Sequence, residues 1–201
     1  MELCLMLLKC CSQEKTYRPF YGLLGQRLCM INRIYQENFE TCFVQQYTTI
    51  HRLETNQIRH VATFFAHLLS TDALPWHCFA YIRLSEEDTT SSSRIFIKIL
   101  FQELSQQLGT LVLNHRFSTD PAYESILPRD NPKDTLFAIN FFETIGLRGL
   151  TENLREYLAH LPRLIRQPLK AVSASSESVS GSSSSDDRDE RRKKKRTRRN
   201  Y

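Results

Sequence analysis

The sequence has no run of ~20 consecutive apolar residues, so no segment has the length of a bilayer-spanning helix. Its start, MELCLMLLKCC, differs from a secretion signal: the apolar run is short, Glu2 stands where a positive charge is expected, and no small-residue cleavage site follows. Glycine is scarce, at six residues. Gly22 and Gly25 are three apart but lack the third glycine and the strand context of a dinucleotide loop, and neither a GxxxxGK phosphate loop nor HExxH occurs. The six cysteines, Cys4, Cys10, Cys11, Cys29, Cys42 and Cys78, form no CxxC pair and no Cys/His group with zinc-finger spacing. Free thiols are therefore expected, with no metal site and no cofactor. His60 and His67 can share a helix face, but two ligands do not close a metal site. His77 beside Cys78 is no catalytic dyad by adjacency, because such partners meet through the fold. Glu86-Glu87-Asp88 reads most simply as a solvated loop. These absences leave no support for an enzyme.

Net charge is +5, but it is unevenly placed. Residues 173–201 hold nine Lys/Arg against five Asp/Glu, so the rest of the chain is close to neutral. A folded part without a basic surplus argues against nucleic-acid binding by bulk charge.

What is present is helical periodicity, from Glu2 to Leu161. Leu3, Leu7 and Cys10 make a first stripe with no capping residue ahead of it, as in a helix preceded by others. Pro19 suits the first position of a second helix carrying Phe20, Leu23, Leu24, Leu28 and Ile31, with Gly22 and Gly25 as weak points. Asn32 can cap a third helix that places Tyr35, Phe39, Cys42, Phe43 and Ile50 on one face, and Thr55 a fourth, with Ile58, Val61, Ala62, Phe65, Leu68 and Leu69 as the clearest stripe. Pro75 starts a short helix with Trp76, read as a core residue in preference to an interface anchor. After the polar loop Ser85–Thr90, Ser92 or Ser93 can cap a helix through Leu108 that Gly109 stops. Leu111–Phe117 and Ala122–Leu127 are shorter helical pieces. No strand pattern competes, so the expected class is all-α, a HEAT-like helical repeat array over residues 1–165.

Residues 127–156, LPRDNPKDTLFAINFFETIGLRGLTENLRE, read as a helical hairpin. Asn131 caps, Pro132 opens and Asp134 sits in the first turn, where negative charge is favoured. The run Leu136 to Ile145 is apolar on nearly every side, Gly146 is the stop, and Thr151 can cap a closing helix with Leu154, Leu158 and Leu161. Arg129 and Asp130 lie between two prolines in a stiff loop, and Arg148 is flanked by two glycines. With Glu86, Glu87 and Asp88 these are the candidate partner contacts. Residues 166–201 are Ser-rich and then basic, a composition expected to be disordered. Arg191, Arg192, Lys193, Lys194, Lys195, Arg196, Arg198 and Arg199 form a run suited to nuclear import or phosphate-backbone contact.

YTTIHRLETN (47–56), LSEEDTTSSSRIFIKILFQEL (84–104) and residues 127–156 resemble the C-terminal MI domain of nucampholin, the Cwc-twenty-two family of pre-mRNA-splicing factors; CCSQEKTY and FYGLLGQRLC, within 10–29, look similar too. The resemblance spans about residues 3–161. It implies an all-helical, HEAT-like module of a non-enzymatic spliceosome component in the nucleus, docking on the spliceosome's protein core and the pre-mRNA nearby, with no membrane partner. It further implies a link to exon junction complex assembly through a DEAD-box helicase held mainly by a middle domain that this sequence lacks, along with the first MI helices. The alternative is an MI-type module of translation control that docks on an initiation DEAD-box helicase.

Overall fold

The computed structural model describes residues 1–119 and 123–160. The expected boundary near residue 165, the Ser-rich run and the basic run lie outside the described residues.

Among the described residues there is no strand, and the helices follow one another as packed pairs, the HEAT-like order. They are α1 (Glu2–Gln13), α2 (Pro19–Ile31), α3 (Arg33–Thr48), α4 (Thr55–Ser70), α5 (Ser91–Leu108), α6 (Thr110–Thr119), α7 (Pro132–Thr144) and α8 (residues 152–160). Short 3-10 turns at Ile50–Arg52, Trp76–Tyr81 and Arg148–Thr151 join them.

α4 is the hub. It packs on α1 and α2 on one side and on α5 along its length. Its sequence supplies apolar residues on most of its circumference, and Ile58, Val61, Phe64, Phe65, Leu68 and Leu69 are all at most 2% exposed. Full burial of each such side chain contributes about 1.5–3 kcal/mol. Aromatic rings continue the core. Phe43 meets Phe65 at a centroid distance of 5.0 Å, and Phe101 of α5 meets Phe142 of α7 at 5.0 Å.

Several helix ends follow the expected chemistry. Asn32 Oδ1 accepts from the Ile34 N–H at 2.9 Å, and Asn131 Oδ1 from the Lys133 N–H at 3.0 Å. Pro19 and Pro132 hold the first helical positions. Gly109 and Gly146 take φ of 83° and 85°, the left-handed region where glycine carries no steric cost. Other ends are displaced. Glu54, not Thr55, caps α4, in a reciprocal box in which its own N–H donates to Gln57 Oε1 at 3.0 Å. Thr90, not Ser92 or Ser93, caps α5, and Ser93 closes the box from the third position. Thr151 is no cap. It ends a 3-10 turn that runs straight into α8, and its hydroxyl donates to the Arg148 carbonyl at 2.9 Å. Of the short piece expected at Ala122–Leu127, residues 124–126 form a turn.

Three faces also differ from the periodic reading. In α1 the buried apolar residues are Cys4, Leu7, Leu8 and Cys11, while Leu3 and Cys10 face outward. In α2 the reading holds in part: Leu24 and Leu28 pack against the core, but Phe20, Leu23 and Ile31 are more than half exposed, and Gly22 and Gly25 face the core. The missing side chains let α2 approach α4, which a stripe of leucines would hold away. In α7 only Thr135, Ala138, Ile139 and Phe142 are buried; Leu136 is 52% exposed, so the helix is half-covered.

Trp76 is a core residue, as expected. Its Nε1–H donates to the Leu69 carbonyl at 2.9 Å and lies 3.2 Å from Asp72 Oδ1. The Arg116 guanidinium covers the ring at 4.7 Å and pairs with the Asp72 carboxylate. This clamp ties the end of α4 to α6. Ile50, expected on the face of α3, is buried from the following 3-10 turn. His60 is buried and His67 meets Gln26 Oε1 at 3.0 Å, both as packed residues of α4.

Candidate protein-binding surface

The chain between Tyr81 and α5 alternates: Ile82 and Leu84 point into the core at 0% exposure and Arg83 points out. The Leu84 N–H donates to the Ser125 carbonyl at 2.9 Å, which lays this strap beside the loop leading to α7. Arg83 then ties both loops. Its Nε is 3.1 Å from Asp88 Oδ2, and its Nη2 is 3.1 Å from Asp130 Oδ2 and 4.0 Å from Asp134 Oδ2.

Each loop is itself braced. Ser85 Oγ donates to Asp88 Oδ2 at 2.6 Å and accepts from the Asp88 N–H at 2.9 Å, an ST-type turn. Thr89 Oγ1 donates to the Ser85 carbonyl. Arg94 reaches back from α5, donating to Thr89 Oγ1 at 2.9 Å and the Glu86 carbonyl at 3.1 Å. On the other side Thr135 Oγ1 lies 2.8 Å from the Pro128 carbonyl, holding the Arg129–Asp130 loop on α7.

Two recesses flank Arg83. One, of about 240 Å³, is lined by Arg83, Glu124, Ser125, Pro128, Arg129 and Asp130. The other, of about 180 Å³, takes in Glu86, Glu87, Asp88, Lys133 and Asp134. Five of the six residues singled out from the sequence thus converge here: Glu86, Glu87, Asp88, Arg129 and Asp130. Arg148 lines neither recess. It pairs at 3.8 Å with Glu143, which also holds Arg155 at 3.1 Å. Sequence reasoning missed Arg83, Lys133 and Asp134. The available signal was the alternation at Ile82-Arg83-Leu84, which exposes a lone arginine.

The patch is predominantly acidic. Carboxylates outnumber cations around it, no thiol lines either recess, and among the described residues no group of His, Cys, Asp and Glu is arranged to hold a metal ion. The ion pairs are half exposed, so their value lies in holding loop geometry more than in stability.

Comparison with known proteins adds its relatives. The MA3 domain model matches residues 1–75, which include α1 to α4. The pre-mRNA-splicing factor CWC22 homolog of Homo sapiens is 57% identical over 167 residues, 82% of this chain and 18% of its own length. By sequence, most of this chain is similar to part of the CWC22 proteins. The homolog of Pongo abelii is 54% identical over 184 residues, 90% of this chain and 20% of its own, and the cwc22 of Emericella nidulans is 50% identical over 183 residues, 88% and 21%. The chain therefore spans about a fifth of the length of these CWC22 relatives. Coverage of 82% or more leaves too few residues outside the match to miss 83–134, so these residues fall within the matched span.

Proposed function

We propose that this chain is a non-enzymatic scaffold or adaptor module that acts in nuclear pre-mRNA splicing as part of the spliceosome, linked to exon junction complex assembly. The observation that carries this reading is 50–57% identity with proteins named pre-mRNA-splicing factor CWC22 over most of the chain. The helical array supports it: stacked helix pairs offer extended surfaces for partners. The braced loops around Arg83 supply one such surface, with Asp88, Asp130, Glu86 and Glu87 as an acidic rim and Arg129 as its counter-charge; Arg148 supplies a second point. The basic run at 191–199 adds nuclear import or RNA contact.

The test is affinity purification from nuclear extract, with the folded state of the bait checked by circular dichroism. Co-purification of spliceosomal proteins is expected. A folded bait that brings down none of them would sink the reading. The MI-type resemblance leaves one alternative, docking on an initiation DEAD-box helicase in translation control. Parallel binding assays with the initiation helicase, the exon-junction helicase and splicing core proteins separate the two. A preference for the initiation helicase would replace the splicing reading.

A further inference from the structure

A second surface lies between α5 and α7 and shares no lining residue with the recesses around Arg83. It is a groove of about 350 Å³ with a largely apolar floor: Ile95 from α5, and Phe137, Phe141 and Ile145 from α7 and its end. Leu136, half exposed, stands one turn before Asn140 on α7. Among the described residues only two charged side chains line the groove, Arg94 and Lys98, and both are cations.

Among the described residues no carboxylate compensates these cations. They stand four apart on one ridge of α5, where like charges repel. Among the described residues Arg94 donates to neutral oxygens, the Thr89 hydroxyl and the carbonyls of Glu86 and Thr89. Neither Arg94 nor Lys98 forms an ion pair among the described residues. The nearest α7 carboxylate in sequence, Glu143, is committed to Arg148 and Arg155. An apolar trough with two unneutralised cations on one wall fits a ligand with apolar anchors on one side and carboxylates beside them.

We propose that the α5–α7 groove binds an acidic amphipathic helix of a protein partner, its apolar anchors seated over Phe137, Phe141 and Ile145 and its carboxylates set against Arg94 and Lys98. This goes beyond the splicing reading and stands on the groove alone. A protein is favoured over RNA by two observations. The Arg94 guanidinium covers the Phe137 ring at 4.9 Å, occupying a face on which a base would stack. Two cations also make a poor track for a phosphate backbone, whereas an apolar floor with a charged edge is the helix-in-groove arrangement.

The experiment selects displayed 16-residue helical peptides on the full chain, then measures them by fluorescence anisotropy against wild type, Lys98→Glu and Phe141→Ser. Lys98 is exposed, so its reversal leaves packing intact. Expected are peptides carrying Asp or Glu beside two apolar anchors, weakened about tenfold or more by Lys98→Glu, with binding regained when the peptide carboxylates are exchanged for lysines. Failure to enrich any peptide, enrichment of peptides indifferent to Lys98→Glu, or lack of rescue by the exchanged peptide overturns the proposal. A single-stranded RNA titrated in parallel that perturbs Lys98 and Phe141 while the peptides do not would assign the groove to nucleic acid instead.

Discussion

Gly25 of α2 lies against the ring of Phe64 of α4: a Cβ at residue 25 would fall 2.8 Å from Phe64 Cζ and 3.1 Å from Cε2. Phe64 is fully buried, its ring packed against those of Phe39 and Phe65. Alanine in a helix gains about 1 kcal/mol over glycine, whereas overpacking costs about 1–3 kcal/mol. Gly25→Ala is therefore expected to lower the urea midpoint. Gly149, with nothing near a built Cβ, is the control, and Gly149→Ala should stay within about 0.5 kcal/mol of wild type. A stabilised Gly25→Ala would refute the close approach of α2 and α4.

The Asp72–Arg116 pair makes an acid-sensitive joint. Hydrogen bonds from Arg116 hold the Asp72 carboxyl below the usual range, desolvation opposes them, and the charge of Arg116 and the Trp76 N–H add to the lowering. A depressed folded value means that the stabilisation is present above the ordinary carboxyl pKa of about 3.9 and is lost as pH falls through the folded value. Asp72→Asn tolerates the local φ of 54° and removes the titration. Its deficit in chemical-denaturation midpoint should be clear at neutral pH and should vanish in acid. A deficit that persists unchanged would assign it to packing.

His67 gives a second pH window. Desolvation in α4 lowers its pKa below the ordinary value of about 6.5, so over the interval between the two values the unfolded chain binds more protons. Stability should rise with pH there and level off above about 6.5. His67→Gln keeps a polar group for Gln26 and should flatten that slope in thermal melts. An unchanged slope would place the titration elsewhere.

Arg83→Met should cost under about 1 kcal/mol, since its ion pairs are half exposed, yet it leaves Asp88, Asp130 and Asp134 facing one another. Amide hydrogen exchange is expected to quicken in residues 85–90 and 129–134 while α4 keeps its protection. Equal loss of protection in α4 would show that Arg83 supports the whole fold and not the two loops.

The helices and most of their punctuation were legible, because Asn32, Asn131, Pro19, Pro132, Gly109 and Gly146 act within one turn of their own position. What was not legible depends on distant residues. The inward face of α2 was hidden because Gly22 and Gly25 read as weak points, when each is the space that His67 or Phe64 fills. At the start of α5, three serines and two threonines offered competing caps, and the choice of Thr90 follows from how Arg94 and Thr89 brace the preceding loop. The candidate contacts were found as two separate loops. Their meeting needed Arg83, an isolated residue without a motif, and the Leu84–Ser125 hydrogen bond that brings the loops side by side.

The cysteines offer a built-in set of clocks. Burial pushes the thiols of Cys11, Cys29, Cys42 and Cys78 up to about 12, with smaller contributions from neighbouring charges, so thiolate is scarce in each while its helix stays closed. They sit in α1, α2, α3 and the Trp76–Tyr81 turn, and Cys10 is exposed beside them as an always-on reference. Timed alkylation read by mass would thus report the order in which successive layers of the array breathe, without a single engineered label.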